Sequence, residues 1–123
     1  MLFDTSVLIA HLRGDRRATD LLLSVPTGER LASVLARVEI EGGMRARERA
    51  SVAGLLDALT LLPVSNAIAR RAGEHLRTHR RSHRGIDLVD YVIAATSEAH
   101  DTPLVTLNVK HFPMFAELKR AFG

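Results

Sequence analysis

Apolar residues fall along this chain in two rhythms. Short apolar runs bounded by turn-forming residues occur at LFDT, RLASV, Leu61 to Val64 and PLVTLN, and each predicts a strand. Between them the apolar positions recur at helical spacing. SVLIAHL predicts a helix stopped by Gly14, and DRRATDLLLSVPTG a second one that starts near Asp15 and ends by Pro26 and Gly28. Leu35 to about Arg49 is helical in pattern, though Gly42 and Gly43 weaken it locally, and SVAGLLDAL leads from a helix into the third strand. NAIARRAGEHLRTHRRSH predicts a long basic helix, and GIDLVDYVIAATSEAHD another behind Gly85. The last stretch, HFPMFAELKRAFG, reads as a helical tail.

Strands alternating with helices imply right-handed crossovers and a parallel sheet covered on both faces. The expected fold is a three-layer α/β/α, Rossmann-like domain with a four- to five-stranded, mostly parallel sheet. The 123 residues contain no repeat or linker and predict one domain over residues 1–123. With 46% hydrophobic and 25% charged residues the chain is an ordinary globular one, which excludes a disordered or collagen-like reading. The lack of cysteine removes disulfides and thiolate metal centres and fits a reducing cytoplasm. No apolar run reaches the ~18 residues that span a bilayer, so a soluble cytoplasmic protein with no membrane partner is expected. A pI near 10.2 points modestly toward a polyanionic partner.

In such sheets the functional crevice lies outside the carboxyl ends of the strands. Asp4 ends the first apolar run, where an ionised carboxylate is costly unless paired, hydrogen-bonded or bound to a cation. Asn108 follows the last run, and Glu39 and Asp90 sit near the starts of the helices after RLASV and after Gly85. The topology therefore draws Asp4, Glu39, Asp90 and Asn108 to one edge. Three carboxylates so placed repel one another unless a cation sits among them, and an all-oxygen site suits Mg²⁺ or Mn²⁺. Acids at helix starts also serve as caps, so Glu39 or Asp90 taken singly has a structural reading as well.

The segments FDTSVLIA, RVEIEGG, DYVIAAT and LVTLN followed by HF resemble, in that order and over nearly the whole chain, the PIN domain, and specifically the VapC-type toxins of toxin–antitoxin pairs. The resemblance implies a PIN-like fold and a metal-dependent endoribonuclease, a hydrolase that uses metal-activated water and leaves a 5′-phosphate and a 3′-hydroxyl. It places the catalytic set on Asp4, Glu39, Asp90 and Asn108, with Asp4 and Asp90 as metal ligands. Thr5, Ser6 and Thr106 match supporting hydroxyls, and Asp87, a turn before Asp90, either supplements the site through water or caps the helix. It further implies Mg²⁺ or Mn²⁺ as cofactor, a cognate VapB-type antitoxin and a homodimer. Two departures stand out: Asn108 is neutral, and His111 precedes Phe112 where many relatives have an acid.

Arg77, Arg80, Arg81 and Arg84 lie in a basic run interleaved with His75, His79 and His83. It is read as contacts to RNA phosphates or as a solvated face. Three histidines along nine residues rise too far to share one zinc ion easily. Two other functions compete with the nuclease. A phosphatase of the haloacid dehalogenase type needs a second Asp where Ser6 stands, and a catalytically inactive PIN-like RNA- or protein-binding module would have no use for three converging acids. Leu8, Leu12, Leu21 and Leu22, with the helix following Glu39, are expected to form an apolar groove for the antitoxin.

Overall fold

The computed structural model describes residues Met1 to Gly123. Four short strands, β1 (Leu2–Phe3), β2 (Leu31–Ser33), β3 (Thr60–Leu62) and β4 (Leu104–Val105), form a wholly parallel sheet in the order β3-β2-β1-β4. Leu2 lies opposite both Leu31 and Leu104, so the central strand is held on its two sides at one level. The sheet has four strands, the lower end of the expected range. Where a fifth would pair with β4, only the Ala121 N–H donates to the Thr106 carbonyl, at 2.9 Å.

The strand order assigns the helices to faces. The chain steps from β1 to β2 through α1 (Thr5–Leu12) and α2 (Arg16–Ser24), and from β2 to β3 through α3 (Val34–Gly43) and α4 (Arg49–Asp57). It then returns across the sheet from β3 to β4 through α5 (Asn66–His79) and α6 (Leu88–Ala99). Right-handed crossovers in opposite directions put α1–α4 on one face and α5 and α6 on the other. Burial agrees. Phe3, Val7, Leu8, Leu22, Ala36 and Val52 belong to one buried cluster, while Ile68, Ala72 and Tyr91 join α5 to α6 in another. From Tyr91 to Ser97 every α6 residue is buried, which explains the near-continuous apolar run of that segment. Thr96 is tolerated there because its hydroxyl donates to the Val92 carbonyl at 2.7 Å. No helix is long and apolar enough to cross a membrane.

Two sequence expectations give way. The helix foreseen from Leu35 to Arg49 ends at Gly43, and a 3₁₀ turn at Ala46–Glu48 separates it from α4. Gly42 and Gly43 have the lowest helix propensity in the segment, and Glu48 closes the turn by accepting the Arg45 N–H at 2.8 Å. The helical tail is absent too. After a 3₁₀ turn at Val109–His111 the chain runs in turns, since Pro113 cannot donate to a ladder and its apolar residues each find a separate place. Phe112 is 1% exposed, its ring lies 6.5 Å from that of Phe115, and Ala121 and Phe122 pack against the larger core.

One buried group is unpaired. Tyr91 Oη, within the α5–α6 contact, is the sole buried side-chain polar atom without a hydrogen-bond partner. A hydroxyl stripped of water without compensation costs on the order of 1–3 kcal/mol. Tyr91→Phe is therefore expected to raise stability by about 1 kcal/mol in urea denaturation, with the m-value unchanged. A loss of stability would mean that the hydroxyl finds a partner in solution.

Candidate active site

The reversal of strand order between β1 and β4, which run parallel, leaves a crevice at their carboxyl ends. Asp4 follows β1 there and is 3% exposed. Its Oδ2 accepts hydrogen bonds from Ser6 Oγ at 2.7 Å and from Thr106 Oγ1 at 2.8 Å. The two hydroxyls tie β1 to β4, because the Leu107 N–H donates to Ser6 Oγ at 3.1 Å and the Asn108 N–H to Thr106 Oγ1 at 2.9 Å. Asp4 Oδ1 accepts nothing and is not among the buried unpaired atoms, so it faces solvent in the crevice. The sequence pattern DTS is thus a strand end, a helix start and a carboxylate clamp in three residues.

Asp90 enters from the other face. Asp87 caps α6, and Asp90 closes a capping box by accepting the Asp87 N–H on Oδ2 at 3.2 Å. The capping and site readings of Asp90 therefore hold together, while Asp87, exposed and bonded to the Leu88 N–H at 2.7 Å, is a cap. Burial pushes the Asp90 carboxyl up to about 6; the Asp87 N–H and the His111 ring act against this, while the charges of Asp4 and Glu39 add to it. Asp4 and Glu39 are thus near enough to Asp90 to act on its charge.

Glu39 stands in the second turn of α3, further from the helix start than its sequence position implied, because α3 begins at Val34 directly after β2. Its Oε1 accepts from Thr5 Oγ1 at 2.7 Å, which links α3 to the first residue of α1. Glu39 is exposed and borders a cavity of about 360 Å³ between α1, α3 and α4, with Ile9, Leu12, Ile40 and Met44 on its apolar side and Arg13, Arg45 and Arg47 on its polar one. Leu8 and Leu22, expected to face a groove, are instead buried in the core.

Asn108 is the member that the structure does not bring in by its side chain, which is exposed and bonds to nothing. Its place beside Asp90 is taken by His111, whose Nδ1 lies 3.1 Å from Asp90 Oδ2. The signal available in the sequence was the buried Phe112 next to it, which anchors the 3₁₀ turn that aims His111 back at the crevice.

Arg77, Arg80, Arg81 and Arg84 are exposed and form no ion pairs, on the stretch that leads from α5 into α6 and hence to Asp90. Arg71 is different, bridging Glu98 and Glu74 at 3.1 Å each. His75 is buried and held by Glu98, with Nε2 2.5 Å from Oε1, while the His79 and His83 rings continue the row at 6.4 and 5.5 Å centroid separations. The three rings form a ladder rather than one chelate.

A hard divalent ion fits what is present. The free Asp4 Oδ1, the Asp90 carboxylate and the Glu39 carboxylate are oxygen donors with mutual repulsion to relieve. No three acid or histidine side chains are close enough to enclose an ion completely. An ion bound there would be held through one or two carboxylates and would keep several waters, as Mg²⁺ does.

Fold and site together define an α/β protein with a carboxylate crevice at its topological switch point. The PIN domain family model matches residues 1–118, and the chain belongs to that family. It is 50% identical to Ribonuclease VapC10 of Mycobacterium tuberculosis over all of its own length and 93% of that protein's. It is 44% identical to Ribonuclease VapC19 of the same organism, with 96% of each covered. Among solved structures, a toxin–antitoxin complex from Klebsiella pneumoniae matches with a TM-score of 0.80, 25% identity and coverage of 98% of this chain and 97% of that one. DNA-bound VapBC from Salmonella typhimurium shares the fold with a TM-score of 0.78 at 21% identity, over 97% and 93% of the two chains.

Proposed function

We propose that this chain, acting as one domain over residues 1–123, is a VapC-type toxin: an endoribonuclease that depends on Mg²⁺ or Mn²⁺ and is restrained by a cognate VapB-type antitoxin. The observation that carries the reading is the buried Asp4 carboxylate, clamped by two hydroxyls with one oxygen left free and disfavouring charge on the neighbouring Asp90, in a chain half identical to a VapC ribonuclease.

A bound divalent ion would supply charge to the phosphoryl oxygens and acidity to an attacking water. Asp4 and Asp90 would hold it, with Ser6 and Thr106 fixing the Asp4 carboxylate and Thr5 fixing Glu39. Glu39, the most exposed of the three acids, is placed to accept the proton of the attacking water. Asn108, with a free side-chain amide at the rim, would donate to a phosphate oxygen or orient that water. Arg77, Arg80, Arg81 and Arg84 would receive flanking phosphates of the RNA. The cavity beside Glu39 joins apolar surface to the acids and suits an antitoxin segment that ends in a cation. Exposed Val34 and Val38, one turn apart on α3, would be covered in a homodimer. A cytoplasmic setting goes with an RNA substrate and a cysteine-free chain.

The test is cleavage of RNA by the purified protein freed of any partner. Activity is expected with millimolar Mg²⁺ or Mn²⁺, to cease with EDTA and to return when metal is restored. Metal-independent cleavage would overturn the metal dependence, and no cleavage with either ion would overturn the reading in favour of an inactive binding module.

A further inference from the structure

His111 is the one histidine of six that touches the acids of the crevice. His75 is held by Glu98, His11 lies 2.7 Å from Thr19 Oγ1, the His79 and His83 rings meet edge to face, and His100 is exposed at the end of α6. The site is thus not purely an oxygen site. One nitrogen donor stands at its rim.

We propose that His111 is a ligand of the divalent ion, adjacent to Asp90, and that it shifts the preference of this site from Mg²⁺ toward Mn²⁺ and Co²⁺. The inference rests on the reading of the acids as a metal site and adds to it a nitrogen donor beside Asp90.

Three features of the structure support it. An octahedral ion with bonds of about 2.1 Å holds neighbouring ligand atoms about 3.0 Å apart. His111 Nδ1 and Asp90 Oδ2 are 3.1 Å apart, so the two atoms stand at the separation of adjacent ligands. The backbone that carries the ring is also held in place. The His111 N–H donates to the Asn108 carbonyl at 2.9 Å, the Phe112 N–H to the Val109 carbonyl at 3.0 Å, and the Phe112 side chain is buried beside it. Finally, the His111 side chain is 39% exposed, so the ring is open to solvent on the crevice side and accessible to an ion, and an ion pair in such a setting contributes little to stability. Imidazole nitrogen is a poor donor for Mg²⁺ and a good one for transition ions, so its presence changes selectivity rather than the charge of the site.

The experiment uses full-length protein with His79, His83 and His100 replaced by Gln, which removes the other solvent-accessible imidazoles outside the crevice that have no side-chain partner in another element. Electron spin echo envelope modulation of bound Mn²⁺ should show a directly coordinated ¹⁴N nucleus, lost in His111→Ala and in His111→Gln. Gln keeps an N–H for Asp90 but offers no imidazole, so a residue that merely positions Asp90 would survive that change. By calorimetric titration both variants should lose about tenfold or more in Mn²⁺ and Co²⁺ affinity and less than about threefold in Mg²⁺ affinity. His111→Glu should move the preference toward Mg²⁺. No ¹⁴N coupling in the parent, coupling that persists in the variants, or an equal loss for all three ions would overturn the proposal. Cleavage of RNA by the same samples is read separately. Active protein without nitrogen coupling would defeat the His111 assignment alone, and nitrogen-coupled Mn²⁺ without cleavage would defeat the nuclease reading alone.

Discussion

Asp4→Asn is expected to lower RNA cleavage by on the order of 10²–10³-fold or more, with the fold intact. The substitution keeps the shape, and the amide oxygen can still accept from Ser6 and Thr106, so the link between β1 and β4 survives. What changes is the atom facing the crevice. The free Oδ1 becomes an N–H₂ group, which cannot ligate a cation and repels one. Cleavage rates at saturating Mn²⁺, read beside circular dichroism and the melting temperature, separate lost chemistry from lost folding. Expression of the wild type should slow growth and the Asn variant should relieve it. Undiminished cleavage by a folded Asp4→Asn protein would remove Asp4 from the mechanism. Ser6→Ala and Thr106→Val make a graded comparison. Each removes one hydroxyl from the clamp but leaves the charge, so a milder loss of about 10–100-fold is expected.

The two strand ends of this site were legible in the sequence because they obey a local rule. An acid after LF and a hydroxyl after LV interrupt apolar runs, and in a parallel sheet such interruptions fall on the carboxyl edge. Asp90 was legible for a different reason, since the D-x-x-D spacing after Gly85 marks a helix start in either its capping or its catalytic role. Asn108 and His111 show where local rules stop. Both follow β4, and whether one or the other reaches the crevice depends on a single 3₁₀ turn, fixed by burial of Phe112 against residues distant in sequence such as Leu2 and Ile93. The tail was misread for the same reason. Its apolar residues are spaced as on a helix, yet Met114 and Phe115 serve one core cluster while Ala121 and Phe122 serve another, and no single helix face meets both.

The second large effect concerns stability rather than rate. A carboxyl raised to about 6 in the folded protein, against about 3.9 in an unfolded chain, binds its proton more tightly when folded. Between those values the native state holds more protons than the unfolded one, so stability falls as the pH rises from about 4 to about 6 and stays reduced above. The difference of roughly two units amounts to about 1–2 kcal/mol once partial solvent screening is allowed for. Metal-free Asp90→Asn should escape this penalty. Its amide oxygen can keep the Asp87 N–H while the repulsion from Asp4 and Glu39 is gone. At pH 7.5 and in EDTA the variant is therefore expected to melt about 5 °C above the wild type, with the gap closing toward pH 4. Millimolar Mn²⁺ should raise the wild-type melting temperature by mass action and move Asp90→Asn far less, so that the order of the two proteins narrows or reverses. A variant less stable than wild type at pH 7.5, together with a wild-type melting temperature indifferent to Mn²⁺, would leave Asp90 as a helix cap. The opposite pattern identifies the strain among the acids as the cost of a site held ready for its ion.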